Sequence, residues 1–93
     1  MNRPKVIVKY PLSLNKTAIS AIYGFRPLSV QEQNGELVVW GVVDAEEFER
    51  GDFFDTVYFE TVWTGQKFYT RLPYLGTVQR SNGLVEHVYM EGA

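Results

Sequence analysis

The clearest pattern in the chain is a pair of alternating apolar runs on either side of Asn34-Gly35. Asn-Gly between such runs predicts a two-residue hairpin turn, because a type I′ turn needs positive φ at both central residues. The predicted hairpin covers residues 28–44 and pairs Val30 with Val39. Side chains alternate along a strand, so one face of this hairpin belongs to the core. That face carries Leu28, Val30, Leu37, Val39 and Val43.

The second strand of this hairpin is apolar on its other face as well. Val38, Trp40 and Val42 lie on that face. A strand that is apolar on both faces is usually covered on both. The cover is either a second layer of the same chain or another copy of it, and the second case makes these three residues the interface of a homo-oligomer.

Further strands are predicted before and after the hairpin. Residues 5–10 form a β-branched run closed by Pro11, which is typical of a first or edge strand. Residues 15–22 alternate weakly and are read as a short strand or an irregular link. Residues 53–63 form a long alternating strand. One face of that strand carries Val57, Phe59, Thr61 and Trp63.

A second hairpin is predicted about Asn82-Gly83, between strands at residues 74–79 and 84–91. If this turn is also a two-residue turn, Thr77 faces Val88 on the core side. In the same register Val78 faces His87 and Arg80 faces Val85 on the outer side.

These elements predict an all-β fold in a single domain, residues 1–93. About six strands with short links form a small antiparallel meander, closed as a barrel or folded as a sandwich. Between the first hairpin and the next strand, residues 44–52 predict a short acidic helix or loop. In the helical case Asp44 is the N-cap, Glu47 its capping-box partner, and Gly51 ends the helix.

Composition excludes several classes of protein. The 93 residues include no cysteine, which removes disulfides, thiolate chemistry and zinc sites built on sulfur. The first twelve residues are charged and then apolar for too short a stretch to be a secretion signal or a membrane span. We expect a soluble, cytoplasmic protein without membrane contact.

Charge is uneven along the chain although the net charge is only −2. Residues 44–60 carry seven acidic groups and one basic group, whereas the flanking segments are mildly basic. The small negative net charge and the scattered basic residues argue against nucleic-acid binding. The acidic spacing does not match an EF-hand loop, so neither a metal site nor a cofactor is predicted.

No catalytic signature is present. His87 is the only histidine, and no nucleophile, paired carboxylate or second histidine stands at a useful spacing from it. We therefore predict a structural histidine and a protein that is not an enzyme.

A short loop after the long strand is a candidate anion site. Thr64-Gly65-Gln66-Lys67 lacks the full phosphate-loop motif, but its backbone N–H groups and lysine could hold an anion. A nearby tryptophan would offer a stacking plane and nearby arginines further charge. The plain alternative is a strand-ending turn. The predicted ligand-binding residues are Trp63, Thr64, Gly65, Gln66, Lys67, Arg71 and Arg80.

Several short segments also resemble a known family. They are Lys9–Leu12 (KYPL), 28–35 (LSVQEQNG), Val39-Trp40, Val43-Asp44, Thr64-Gly65, 74–79 (YLGTVQ) and 87–89 (HVY). In this order they resemble a family of short phage-encoded proteins with no assigned function, whereas residues 45–58 depart from its pattern. The resemblance implies a phage or prophage origin and a small β fold, and it supplies no catalytic residues.

Short phage accessory proteins often act against host defence. By that analogy we expect a non-enzymatic protein that sequesters a small anionic ligand of nucleotide type as a homo-oligomer. The alternative is an inhibitor that binds a host protein through its aromatic surface and the acidic segment 44–55.

Overall fold

The computed structural model describes residues 3–13 and 15–93, which form seven strands and one short helix. Residues 1, 2 and 14 of the predicted single domain lie outside the described residues. In chain order the elements are β1 (Lys5–Leu12), β2 (Ala18–Ile22), β3 (Arg26–Gln33), β4 (Glu36–Asp44), α1 (Ala45–Arg50), β5 (Phe54–Trp63), β6 (Tyr74–Gln79) and β7 (Val85–Met90).

The strands form two antiparallel sheets. One has three strands in the order β1-β4-β3, and the other has four in the order β2-β5-β7-β6. The two sheets pack as a sandwich rather than closing into a barrel, so the predicted all-β fold is confirmed. Because β4 lies between β1 and β3, the strand order is not that of a simple meander.

The core lies between the two sheets and is almost entirely apolar. Tyr10 and Phe25 meet edge to face within it, with ring centroids 5.3 Å apart. Each sheet contributes one alternating face to this core, as the period-2 pattern predicts. Its most deeply buried side chains include Leu37, Val39, Val43, Phe59, Val88 and Met90.

The first hairpin has the predicted register. Val30 faces Val39, and Asn34 and Gly35 have φ values of 53° and 81°. Positive φ at both positions is what a type I′ turn requires, and these two residue types adopt it at low cost. The local turn chemistry therefore determines the pairing of β3 with β4.

Leu28 was predicted in the core, and that prediction is wrong. Its side chain is 50% exposed. Pro27 pairs with Gly41 and Ser29 pairs with the adjacent Trp40, so Leu28 is the extra residue of a β-bulge. A bulge interrupts the alternation of faces, and the apolar pattern alone does not reveal it.

The second hairpin is shifted by one residue from its predicted register. Thr77 faces His87, and Val78 faces Glu86. The loop has three residues rather than two: the Arg80 amide donates to the Leu84 carbonyl at 2.7 Å. Since a one-residue shift exchanges the two faces of a strand, Val78 lies in the core at 6% exposure and Thr77 faces outward.

The acidic segment forms helix α1, which ends at Gly51 as predicted. Gly51 has a φ of 63° and its amide donates to the Glu47 carbonyl at 3.0 Å. The predicted side-chain cap does not form, because the Asp44 carboxylate accepts a hydrogen bond from Lys5 Nζ at 2.7 Å. That hydrogen bond lowers the pKa of Asp44 below its ordinary value of 3.8. No residue of the helix is buried.

Candidate functional site

The residues predicted to bind a ligand are divided between two sides of the four-stranded sheet. Trp63 follows the buried Phe59 at even spacing on β5, so it lies on the core side, at the sheet end, 40% exposed. Lys67 and Arg71 belong to the loop 64–73, which packs on the opposite, outer side. The structure therefore does not bring the predicted stacking plane and the two loop cations together.

The turn at residues 63–66 is closed by its own hydrogen bonds. The Gln66 amide donates to the Trp63 carbonyl at 3.1 Å, and the Trp63 amide donates to Gln66 Oε1 at 3.0 Å. Gly65 has a φ of 90°, as the third residue of a type II turn requires. The Thr64 amide donates to the Val85 carbonyl at 3.4 Å. Three backbone donors of this turn are therefore engaged within the protein, which leaves side chains to attract an anion.

Aromatic side chains fix the loop 64–73 onto the outer face of the sheet. Tyr89 lies on that face of β7 and contacts Phe68 and Tyr74, with ring centroids 5.3 and 5.5 Å apart. Phe68 and Tyr74 remain 41% and 54% exposed, and Tyr69 is 97% exposed. We call the set Lys67, Phe68, Tyr69, Arg71 and Tyr74 the outer-loop surface.

His87 holds the beginning of this loop against the sheet. Its Nε2 is 2.8 Å from Thr64 Oγ1, and its Nδ1 is 2.9 Å from Thr77 Oγ1. Thr77 Oγ1 is also 2.5 Å from the Tyr74 hydroxyl. Because both ring nitrogens are engaged, the geometry favours a structural role for His87 over that of a general base.

The outer-loop surface carries two cations, and Glu60 lies opposite Tyr89 on the same outer face of the sheet. Residues 61–85 contain no aspartate or glutamate, and their exposed cations are Lys67 and Arg71. Flat aromatic rings beside cations can stack a planar base and attract a phosphate or carboxylate. This arrangement can bind a planar anion, but its open shape does not exclude water as an enzyme active site would.

Arg80 lies on the core side, in an ion-pair network that links the two sheets. Its Nε donates to Glu32 at 2.6 Å, its Nη1 to Glu86 at 2.5 Å and its Nη2 to the Gly35 carbonyl at 2.8 Å. The hydrogen bond to Glu32 raises the pKa of Arg80. The Arg80 side chain is 8% exposed and that of Glu86 only 1%. Two carboxylates already outweigh its single charge, so Arg80 is poorly placed to attract an anionic ligand.

This network makes the free energy of unfolding depend on pH. Hydrogen bonds from Arg80 and Ser81 lower the pKa of Glu32 below its ordinary value of 4.5. The stability that Glu32 contributes is therefore complete above pH 4.5 and is lost as the pH falls through its lower folded pKa. We expect urea unfolding at a series of pH values to show that the free energy of unfolding declines as the pH falls. The decline should be smaller in Glu32→Gln. An equally steep decline in the variant would contradict this assignment.

A cavity of about 580 Å³ lies at another part of the molecule. Apolar side chains such as Leu12, Ile19 and Leu37 line it together with polar groups. Of the residues predicted to bind a ligand, only Arg80 reaches it, and Glu36 also contributes to its wall. Arg80 is already bonded to two carboxylates, and Glu36 offsets the charge of Lys16, which also lines the wall, so this cavity does not favour an anion.

The predicted interface residues lie on the outer face of the three-stranded sheet. Val38 is 5% exposed because Pro11 and Gln31 flank it on the neighbouring strands. Trp40 and Val42 are half-buried, and Lys9 Nζ lies 5.4 Å from the centroid of the Trp40 ring.

A second distinctive surface surrounds the helix. We call residues 44–55 the acidic lobe. Phe48, Phe53 and Phe54 are 46%, 52% and 54% exposed there, and the Arg50 guanidinium lies 4.9 Å from the Phe53 ring centroid. Across residues 3–13 and 15–93, no group of three or more metal-binding side chains is placed to hold an ion, including in this lobe.

Sequence reasoning missed the aromatic part of the outer-loop surface. Phe68, Tyr69 and Tyr74 lie within three residues of the two predicted cations in the chain, so a mixture of aromatic and basic residues was present there. The contact of His87 with Thr64 was not recoverable, because it joins residues 23 positions apart through strand pairing.

The fold and this surface define a small all-β sandwich protein with an exposed aromatic and basic loop. Residues 3–93 match the family described as "Domain of unknown function (DUF7352)", and the chain belongs to that family. No curated protein and no solved structure matches it significantly. In the part of the chain that the structure describes, no helix is long and apolar enough to cross a membrane.

Proposed function

We propose that this protein is a non-enzymatic binding protein for a small anionic ligand of nucleotide type. The outer-loop surface is the proposed site. Lys67 and Arg71 attract the phosphate, and the rings of Phe68, Tyr69 and Tyr74 stack with the base. Compared with the residues predicted from sequence, this site keeps the two loop cations and adds three aromatic side chains. It leaves out Trp63, Thr64, Gly65, Gln66 and Arg80.

One observation carries this proposal: exposed aromatic rings and two cations share a loop in a stretch without any acidic residue. Tyr69 is almost fully exposed, so its ring forms little of the core and is available for contact. The Tyr74 hydroxyl is held by Thr77 and its ring by Tyr89, which orients it before a ligand arrives. A site that is already ordered loses less entropy on binding.

A thermal-shift panel tests the proposal with mono-, di- and cyclic nucleotides and ADP-ribose. A ligand at a hundred times its Kd stabilises the folded state by about 2.7 kcal/mol. In a chain of this length the melting temperature should rise by roughly 10 °C or more. The ligand should be recovered unchanged, because binding occurs without turnover.

Two variants locate the binding. Removing Lys67 or Arg71 by alanine substitution should weaken binding by about tenfold or more for each charge removed. The matched control removes two other exposed cations, Lys16 and Arg26, and should leave binding unchanged. The absence of a melting-temperature shift with every ligand of the panel would contradict the proposed site. So would a loss of affinity in the Lys16 and Arg26 variants as large as that in the Lys67 and Arg71 variants.

The acidic lobe supports a second candidate function, the binding of a host protein. Three exposed phenylalanines in twelve residues, one on a helix without a buried residue and two just after it, form an unusual surface for a small domain. Aromatic side chains surrounded by charge are typical of protein interfaces. If the lobe binds a host protein, no nucleotide of the panel should raise the melting temperature. Charge reversal in the lobe should then disrupt the complex with the host protein.

We also propose a homo-oligomer through the outer face of the three-stranded sheet. Trp40 and Val42 are the contact residues, with Val38 beneath them. Ile7 lies beside Val42 on β1 and is 57% exposed, which extends the apolar area. A second copy would cover this face symmetrically.

A phage or prophage origin, action against host defence and a location in the host cytoplasm complete the proposal. They rest on the resemblance of the short segments described above and on analogy with phage accessory proteins. Sequestration of a nucleotide signal is a function that needs binding but no catalysis, which fits the open site.

A further inference from the structure

The chain carries two surfaces of opposite charge at the two ends of one strand. The acidic lobe runs from the last residue of β4 through α1 to the first two residues of β5, and the outer-loop surface follows β5 in the chain. β5 has ten residues and therefore spans roughly 30 Å, at about 3.3 Å per residue. The molecule is 44 Å long along its longest axis. Tyr89, which anchors the outer loop, pairs with Glu60, six residues along β5 from Phe54, so about 20 Å of strand separates the lobe from this anchor. No ion pair among the described residues joins the two surfaces within one copy.

Each surface has charged side chains without an ion-pair partner among the described residues. In the acidic lobe Arg50 pairs with Glu47 and Asp52. Glu46 and Glu49 are exposed, and the ion pairs found among the described residues include neither of them. The same holds for Lys67 and Arg71 in the outer-loop surface.

We infer that the acidic lobe of one copy docks on the outer-loop surface of the next. Two acidic side chains then meet two basic ones, and the exposed phenylalanines of the lobe meet the rings of the loop. Aromatic contacts at the centre and charges at the rim are the usual composition of a specific interface. The inference does not depend on the proposed nucleotide ligand, because both surfaces belong to this chain.

This contact is heterologous, because different patches of the two copies meet. Such an interface forms a closed ring if the rotation between copies closes, and otherwise an open chain. It differs from the symmetric contact proposed through Trp40 and Val42, and the two can be separated by substitution.

Sedimentation velocity over a range of protein concentrations tests the inference. Wild-type protein should associate at low salt and dissociate as salt is raised, because screening weakens contacts between exposed charges. Reversing either surface, with Glu46→Lys and Glu49→Lys or with Lys67→Glu and Arg71→Glu, should weaken association by about tenfold or more. All proteins in this comparison carry Val42→Lys, which removes the symmetric contact, and the control Lys16→Glu should associate like this parent.

Mixing the two charge-reversed proteins provides the decisive measurement. In a Val42→Lys background, which removes the symmetric contact, each should be monomeric alone. The acidic loop of one matches the basic lobe of the other, so the mixture should associate again. Circular dichroism of each variant confirms that it is folded. A wild-type protein that stays monomeric at every concentration would overturn the inference. So would association in the Val42→Lys background that survives both reversals, or a mixture that stays monomeric.

Discussion

Replacing Arg80 with methionine is expected to lower the free energy of unfolding by about 3–5 kcal/mol, because it leaves a buried carboxylate without its partner. Glu86 is 1% exposed, and its Oε2 has no hydrogen-bond partner among the described residues even with Arg80 present. Loss of the guanidinium also breaks the link to Glu32 on the other sheet. The melting temperature should fall by about 12 °C or more.

Arg71→Met is the matched control for this substitution. Arg71 is exposed, so its replacement should change stability by less than about 0.5 kcal/mol. Adding Glu86→Gln to the Arg80 variant should restore part of the loss, since a neutral amide costs less to bury than an unpaired charge. An Arg80→Met protein as stable as wild type would show that the network does not hold the sheets together.

Replacing Gly41 with alanine is expected to cost about 3 kcal/mol, at the upper end of the usual cost of overpacking. A Cβ at this position would lie 2.2 Å from Phe25 Cε1 and 2.7 Å from the Arg26 carbonyl oxygen. The ring could move only at the expense of its contact with Tyr10, and the carbonyl belongs to the backbone of β3. Urea denaturation of both proteins measures the difference.

Gly76→Ala is the control for the Gly41 variant. Its Cβ would meet only Val30 Cγ1, at 3.1 Å, and a side-chain methyl can shift by a few tenths of an ångström. We expect a loss of about 1 kcal/mol or less. Equal losses of unfolding free energy in the Gly41 and Gly76 variants would contradict this explanation. They would mean that the close approach of Phe25 and the Arg26 carbonyl does not require glycine at position 41.

The two Asn-Gly pairs show where the sequence determines the fold and where it does not. At Asn34-Gly35 both residues have positive φ, and the predicted register is correct. At Asn82-Gly83 only the glycine has positive φ, because the pair sits in a three-residue loop. The same dipeptide serves both turns, so the burial of Val78 in the tertiary structure, rather than the turn signal, distinguishes them.

The site was predictable only in part, for the same reason. Lys67 and Arg71 lie in one loop, and their proximity follows from the chain itself. The sheet separates Trp63 and Arg80 from these two cations. Strand alternation decides the face on which Trp63 lies, and the shifted hairpin decides the face on which Arg80 lies. Arg80 reaches Glu32 across 48 positions, a contact that periodicity cannot show. Local patterns thus predict strands and turns, whereas the division of side chains between two sheets requires the fold.

The proposed ligand and the proposed self-association use the same outer-loop surface, so each should oppose the other. A nucleotide on Lys67 and Arg71 would displace the acidic lobe of a neighbouring copy. By linkage, assembly should weaken the affinity for the nucleotide by the same factor by which the nucleotide weakens assembly.

The most direct test of the binding proposal is a titration of isotope-labelled protein with AMP and with ADP-ribose, followed by amide chemical shifts. We predict saturable shifts gathered in residues 64–74 and at His87 and Tyr89, with little change elsewhere in the two sheets. Shifts gathered instead around Leu12, Ile19 and Leu37 would place a ligand in the cavity. That result, or the absence of any saturable shift, would contradict the assignment of the outer-loop surface as the binding site.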